Sequence, residues 1–338
     1  MRILLVRLGS LGDIIHGLPV AASLREAFPA ARIDWAVDTR QRAILDLVPV
    51  IDHRIVVEPS ARGFLTAISA LRHNRYDVAI DLQGLWKSAA LARSSGAARV
   101  IGFPGPHLRE PGARVLYSET CDVISGPHVI HKNLSLLRPL GLDPAKLVVN
   151  FPIQIPESTV LRDVYERLHM PIGDPFALIN PGAAWPNKRW PPQRFGDVAT
   201  ALAERHQLRS VVSWGPGEES LAEEVVTASR GAAVASPRTS VADLVVLARA
   251  ARLMLSGDTG PLHIAAAIGT PIVALFGPTD TARNGPWSSS DISVSRYSEC
   301  SCHYERRCRR AMPCLLDLET DEVLHAIDRR LALTPAHA

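Results

Sequence analysis

Leu253-Met254-Leu255-Ser256-Gly257-Asp258-Thr259-Gly260-Pro261-Leu262-His263-Ile264-Ala265-Ala266-Ala267, with a second apolar run over 271–276 close behind, is the stretch that decides the fold. An apolar run at 253–256 ends in small residues, and a proline then opens a helical segment over 261–267. Proline suits a first helical turn because its missing N–H would have no partner there. Strand, turn, helix and strand in this order make a βα unit, the building block of parallel sheets. Small residues after the strand give close access to the backbone. Phosphate oxygens can take the open helix amides and the Thr259 hydroxyl, and His263 lies one turn further on the same face. The plainer reading of His263 is a core histidine.

The same alternation runs outward in both directions. Strands are expected at 2–6, 32–37, 53–57, 77–81 and 99–102, with amphipathic helices at 12–28 and 63–73 between them. Residues 115–141 resist assignment. Asn150-Phe151-Pro152-Ile153-Gln154-Ile155-Pro156 reads as an extended connector, because its prolines cannot sit inside a helix. The pattern then restarts with strands at 176–180, 209–214, 253–256 and 271–276, and helices at 192–205, 218–229, 241–250 and 261–267. A chain of 338 residues also exceeds one comfortable core. The expectation is therefore an α/β protein of two doubly wound, Rossmann-like domains facing across a cleft. Such sheets bind ligands at the carboxyl ends of their strands. The domains are 1–155 and 156–318, and a final helix in 319–338 is expected to pack back on the first domain.

Composition narrows the function. Apolar residues at 47% and charged residues at 21% describe a folded globular chain. A net charge of +3 is too mild to argue for nucleic acid. No apolar run is long enough to span a membrane. The apolar start Ile3-Leu4-Leu5-Val6 is interrupted by Gly9-Ser10-Leu11-Gly12-Asp13, so it reads as a first strand rather than a signal peptide. A cytoplasmic location follows, where thiols stay reduced. Cys300, Cys302, Cys308 and Cys314 fall within fifteen residues. They suit a structural zinc or iron, although the Cys-x-Cys start departs from common ligand spacing, and a loop of free thiols is the plainer alternative.

Four loops carry the candidate chemistry. Gly9 and Gly12 turn the first strand into a helix beginning at Asp13, without the third glycine of a dinucleotide fingerprint or the lysine of a P-loop. Asp13 is either an ordinary helix N-terminal carboxylate or a base for an acceptor hydroxyl. His16, one turn on, is a possible neighbour. In Asn180-Pro181-Gly182-Ala183-Ala184-Trp185-Pro186-Asn187-Lys188-Arg189-Trp190-Pro191, a stiffened loop presents a cation pair able to neutralise a diphosphate. Ser213-Trp214-Gly215-Pro216-Gly217-Glu218-Glu219 places carboxylates just past a strand, where they can accept from ribose hydroxyls or simply open a helix. The fourth is the Asp258–His263 turn, with Gly277-Pro278-Thr279-Asp280 ending another strand on the same rim.

Together these segments resemble glycosyltransferase family nine, and within it the lipopolysaccharide heptosyltransferase I branch. The resemblance rests on the Gly-Asp start, Asp81-Leu82-Gln83-Gly84-Leu85-Trp86-Lys87-Ser88, Arg109-Glu110-Pro111, Lys188-x-Trp190-Pro191, Asp258-Thr259-Gly260-x-x-His263 and Gly277-Pro278-Thr279-Asp280, in order across nearly the whole chain. It implies a GT-B fold and an inverting transfer of heptose from ADP-heptose to the Kdo inner core of lipopolysaccharide. The enzyme would be monomeric, at the inner face of the inner membrane, taking a lipid A-Kdo glycolipid as acceptor. Asp13 would be the general base and Lys188 would contact the diphosphate. Glu219 would take the ribose, and Asp258, Thr259, Gly260 and His263 the donor sugar and phosphates. Lys87, Arg109 and Arg114 would meet acceptor carboxylates and phosphates. No cofactor is required for the chemistry. Two departures stand out: Ala183-Ala184 replaces a hydroxyl-bearing pair, and the basic acceptor loop is reduced to Arg62 in Pro59-Ser60-Ala61-Arg62-Gly63. The first means that donor phosphate contacts are made differently, and the second leaves open a different acceptor, such as a protein or another glycan. A nucleotide-sugar-binding protein without transfer is the remaining alternative.

Overall fold

The computed structural model describes residues 1–123, 126–310 and 312–333. The chain divides into two compact units, Met1–Gln154 and Ile155–Ala338, within a residue of the boundary expected from the proline-rich connector. The first unit is a sheet of β1 (Arg2–Val6), β2 (Arg32–Asp38), β3 (His53–Val57), β4 (Val78–Asp81), β5 (Arg99–Gly102) and β6 (Glu119–Thr120). The second is built on β7 (Phe176–Asn180), β8 (Arg209–Val212), β9 (Ala233–Ala235), β10 (Leu253–Gly257), β11 (Ile272–Phe276) and β12 (Ile292–Ser295). Every strand pair is parallel. Helices cover both faces of such a sheet, so its central strands read as unbroken apolar runs. Ile3, Leu4, Leu5 and Val6 of β1 and all five residues of β7 are buried accordingly.

Strand order is β3-β2-β1-β4-β5-β6 in the first unit and β12-β11-β10-β7-β8-β9 in the second. In each unit the chain winds outward from its first strand, then returns and winds the other way from its fourth. The two central strands, β1 beside β4 and β7 beside β10, therefore send their following loops apart. That divergence is where open α/β sheets take their ligands.

Three details differ from the expectation. The long first helix is two helices, Leu11–Ile15 and Leu18–Ala27, separated at Gly17, where a Cβ would press on the Trp35 ring. The stretch that resisted assignment consists of short elements: a 3-10 turn Pro111–Leu116, the two-residue β6, a helix Val129–Ser135 and a 3-10 turn Arg138–Leu140. The final helix, Thr320–Ala332, was expected to return to the first domain and belongs instead to the second. Its buried stripe of Val323, Leu324, Ala326 and Ile327 joins the core formed by Trp190, Phe195 and Leu275. Arg330 fixes it further through an ion pair to Asp291 at 3.0 Å. Among the described residues no helix is long and apolar enough to cross a membrane.

Candidate active site

In the first unit, the loop after β1 carries Asp13 into the divergence between β1 and β4. The Ser10 amide and hydroxyl each donate to Asp13 Oδ2 at 2.9 Å. Arg7, the first residue past β1, meets Oδ1 at 2.5 Å. Burial raises the Asp13 pKa, but the Arg7 guanidinium and the Ser10 amide outweigh it and hold the carboxyl well below the ordinary range. The side chain still keeps 32% of its surface open. An ionised carboxylate with an accessible oxygen can accept a proton from a bound hydroxyl. His16 is buried beneath it, with its ring edge-on to His128 at 5.5 Å.

Arg7 also donates to the Leu82 carbonyl at 2.7 Å, and the Leu8 amide to Gln83 Oε1 at 2.8 Å, tying the loop after β1 to the loop after β4. Asp81, fully buried, organises that second loop. It accepts from the Gln83 and Gly84 amides, the Ser88 hydroxyl and the Tyr117 hydroxyl. Gly84 sits at φ +74°, and a Cβ there would strike Leu108. Lys87 emerges exposed at the start of the helix Trp86–Ser94 that follows, near the Phe64 ring. The Trp86 amide donates to Glu110 at 2.6 Å, and the Trp86 ring lies where a Cβ on Gly112 would fall. These contacts bring the loop bearing Arg109 and Arg114, both exposed, against the Lys87 helix. The three cations expected to meet an acceptor thus share one end of the first sheet. Beside Lys87, Phe64 and Leu65 line a shallow apolar groove where a more basic loop was expected of the family.

In the second unit the loops after β7 and β10 close on one another. Lys188 Nζ meets Asp258 Oδ2 at 2.5 Å and lies over the Trp185 ring at 4.6 Å. Asp258 also faces His263 Nε2 at 3.0 Å and accepts from the Thr279 hydroxyl at 2.6 Å. Burial raises the Asp258 pKa, while the His263 contact and the Lys188 ammonium overcome that and hold the carboxyl far below its ordinary value. Four side chains from three loops thereby form one buried polar network. Asn180, at the end of β7, donates to Ser256 Oγ at 3.1 Å and Thr259 Oγ1 at 3.3 Å, aligning the two central strands. Thr259 and Gly260 open the helix Gly260–Ala267, whose first amides have no partner within the helix. Trp190 anchors the Lys188 loop from below, donating to the Leu318 carbonyl at 3.0 Å and packing edge-on to Phe195.

Glu219 stands apart from this network, exposed at the first turn of Glu219–Ala228. It lines a cavity with Trp214, Pro216, Arg167 and Arg238. Its neighbour Glu218 makes contacts that the sequence did not disclose. Its carboxylate accepts from the Gly215 amide at 3.2 Å, pairs with Arg189 at 3.7 Å, and occupies the space a Cβ on Gly182 would need. Arg7 and Thr279 were likewise unforeseen as partners of Asp13 and Asp258. For Arg7 the available signal was a charged side chain directly past a buried strand at the point where the winding reverses.

Two doubly wound parallel sheets, one carrying an ionised carboxylate and the other a cation–carboxylate network at the point of reversal, are the architecture of the GT-B glycosyltransferases. Among solved structures the E. coli heptosyltransferase WaaC with ADP shares the fold with a TM-score of 0.78 at 22% identity, covering 98% of this chain and 100% of that one. The glycosyl transferase family 9 protein of Veillonella parvula gives 0.81 at 22% identity, covering 98% and 97%. The chain belongs to glycosyltransferase family 9 (heptosyltransferase), whose family model matches residues 65–312. Lipopolysaccharide heptosyltransferase 1 of Pseudomonas aeruginosa is 28% identical over 321 residues, covering 91% of this chain and 87% of its own. Lipopolysaccharide heptosyltransferase 3 of Escherichia coli is 29% identical over 333 residues, covering 95% and 96%.

Proposed function

We propose that this glycosyltransferase moves heptose from ADP-heptose onto the Kdo inner core of lipopolysaccharide, with inversion at the anomeric carbon. The observation that carries the reading is the Lys188–Asp258–His263–Thr279 network, a buried cation held at a helix N-terminus where a diphosphate is favoured. The adenosine end of the donor fits the cavity between Trp214 and Glu219, the ring against the indole and the ribose hydroxyls on the carboxylate. Lys87, Arg109 and Arg114 supply the positive charge for an acceptor rich in carboxylates and phosphates. Asp13 takes the acceptor proton as its oxygen attacks the anomeric carbon, and the bond from that carbon to the diphosphate breaks. Charge gathering on departing ADP is met by Lys188 and the amides at Thr259 and Gly260. These groups fill the part that a divalent ion plays elsewhere, so turnover is expected to be independent of added magnesium or manganese. The protein would work as a monomer at the inner face of the inner membrane, where a lipid A-Kdo acceptor is exposed.

The departure at residues 59–63 favours a second reading, a family-nine transferase with another acceptor. The groove of Phe64 and Leu65 there offers apolar surface rather than the expected charge. Mass spectrometry of products from ADP-, GDP- and UDP-sugars, offered with heptose-less lipopolysaccharide and with candidate proteins, separates the two. Asp13→Ala is expected to lower turnover by about 10²–10⁴-fold while ADP-heptose binding is retained. Wild-type turnover in that variant removes Asp13 from the mechanism.

A further inference from the structure

The four cysteines of the segment between β12 and the final helix stand outside the chemistry just described. Cys300, Cys302 and Cys314 are buried together, and Cys308 packs against them. Cys302 and Cys308 approach to 3.4 Å between sulfurs, and Cys314 shares a hydrogen bond with Cys300. Two thiol pairs thus lie side by side. A four-sulfur tetrahedral site with metal–sulfur bonds of about 2.3 Å has sulfur–sulfur edges of about 3.8 Å. The Cys302–Cys308 pair is already near that spacing. Among the described residues no three His, Cys, Asp or Glu side chains are yet gathered about a single centre.

Backbone amides already point at two of the sulfurs. The Arg309 amide donates to Cys302 Sγ at 3.0 Å and the Cys302 amide to Cys300 Sγ at 3.4 Å. Thiols that only fill space gain little from such donors, whereas charged sulfur gains from each. Four thiolates around a divalent cation carry two net negative charges. The surrounding run Glu305-Arg306-Arg307-Cys308-Arg309-Arg310 supplies four arginines against one glutamate. Arg309 and Arg310 are oriented by ion pairs to Glu305 and Asp317. We propose that Cys300, Cys302, Cys308 and Cys314 bind one thiophilic divalent cation, zinc or ferrous iron, which draws the two pairs together.

The cation would brace the donor side. Asn187, next to Lys188, donates to the Glu305 carbonyl at 2.9 Å. The Tyr304 amide donates to the Pro278 carbonyl at 2.9 Å, one residue before Thr279. Cys314 Sγ lies 3.5 Å from the place a Cβ on Gly277 would occupy. The cysteine segment therefore grips both loops that hold Asp258 in its network. This consequence rests on the proposed donor site; the metal site does not.

The test uses the full chain, purified without chelator from cells supplied with both zinc and iron. Elemental analysis is expected to give one equivalent of metal per chain and to name it. Removal of that metal should expose four thiols to a thiol reagent, and cobalt(II) added to the stripped protein should give thiolate charge-transfer absorption. Cys308→Ser is expected to weaken metal affinity by more than the ~10–100-fold that loss of an outer partner costs. Only trace metal with no cobalt spectrum overturns the site, as does a mass showing the four cysteines oxidised to disulfides. Metal loss in Cys308→Ser with ADP affinity unchanged overturns the brace alone. Failure of every donor panel with stoichiometric metal present instead refutes the proposed transfer and leaves the site standing.

Discussion

Replacing Asp258 with asparagine keeps the shape of the buried network and removes its charge. In the wild type one carboxylate, 5% exposed, faces the Lys188 ammonium at 2.5 Å, His263 at 3.0 Å and the Thr279 hydroxyl at 2.6 Å. The variant leaves Lys188, only 14% exposed, with the Trp185 ring and the backbone carbonyl of residue 258 as neutral compensation. Breaking a buried pair by removing one partner costs about 3–5 kcal/mol, because the other charge stays desolvated. For a unit of this size 1 kcal/mol moves the midpoint by about 2–4 °C, so Asp258→Asn should unfold roughly 6–20 °C below wild type. Thermal unfolding followed by circular dichroism reads the shift, and Lys188→Met with the double variant completes a cycle. The coupling between the two positions should be about 0.5–3 kcal/mol. The pH dependence has a definite sign. A carboxyl whose folded pKa is depressed contributes stability above its unfolded value of about 3.9 and loses it as pH falls toward the folded value. The gap between wild type and variant should therefore hold from pH 7 down to about 4 and close below that. A variant melting within 2 °C of wild type, or additive single changes, would refute the claim that these loops are held by one charge network.

Two further outcomes follow from the same reasoning. Arg7→Met removes the cation that depresses the Asp13 carboxyl, so the acid limb of kcat/KM should move to higher pH, as initial rates between pH 4 and 8 would reveal; an unmoved limb separates Arg7 from the titration of the base. Trp190→Ala empties a buried site beneath the Lys188 loop and should cost about 3–5 kcal/mol, measured by denaturant unfolding, with a loss under 1 kcal/mol counting against the anchoring role.

Much of the fold was legible because its main signal is local. Residues 3–6, 176–179 and 272–276 are apolar on both faces, as only strands in a covered parallel sheet need to be. Where structure depends on tertiary packing, the pattern failed. At Gly17 the Trp35 ring, eighteen positions away, leaves no room for a Cβ, a contact that no local pattern announces. The stripe of Val323 and Ile327 was visible as a stripe, but nothing in its spacing says which unit it covers. The site divides in the same way. Asp13, Lys188 and the Asp258–His263 turn were marked by position after a strand, whereas the joining of Lys188 to Asp258 across 70 residues was not. That contact exists because β7 and β10 are neighbours, a fact of winding order rather than of either loop.

That winding order also sets a timetable for synthesis. In each unit the central strand is made first and its partner only fourth, after the chain has built outward on one side. Domains made on the ribosome fold as units, N-terminal first. All six strands of the first unit are synthesised before residue 155 is added, so its fold can be complete while much of the second is still unwritten. The Lys188 loop, by contrast, must wait for β10 to supply Asp258 and for residue 279 to close the network. Once β7 has left the ribosome and until β10 follows it, β7 is exposed along the edge that β10 later covers, and this interval is where chaperone contact on the ribosome should concentrate.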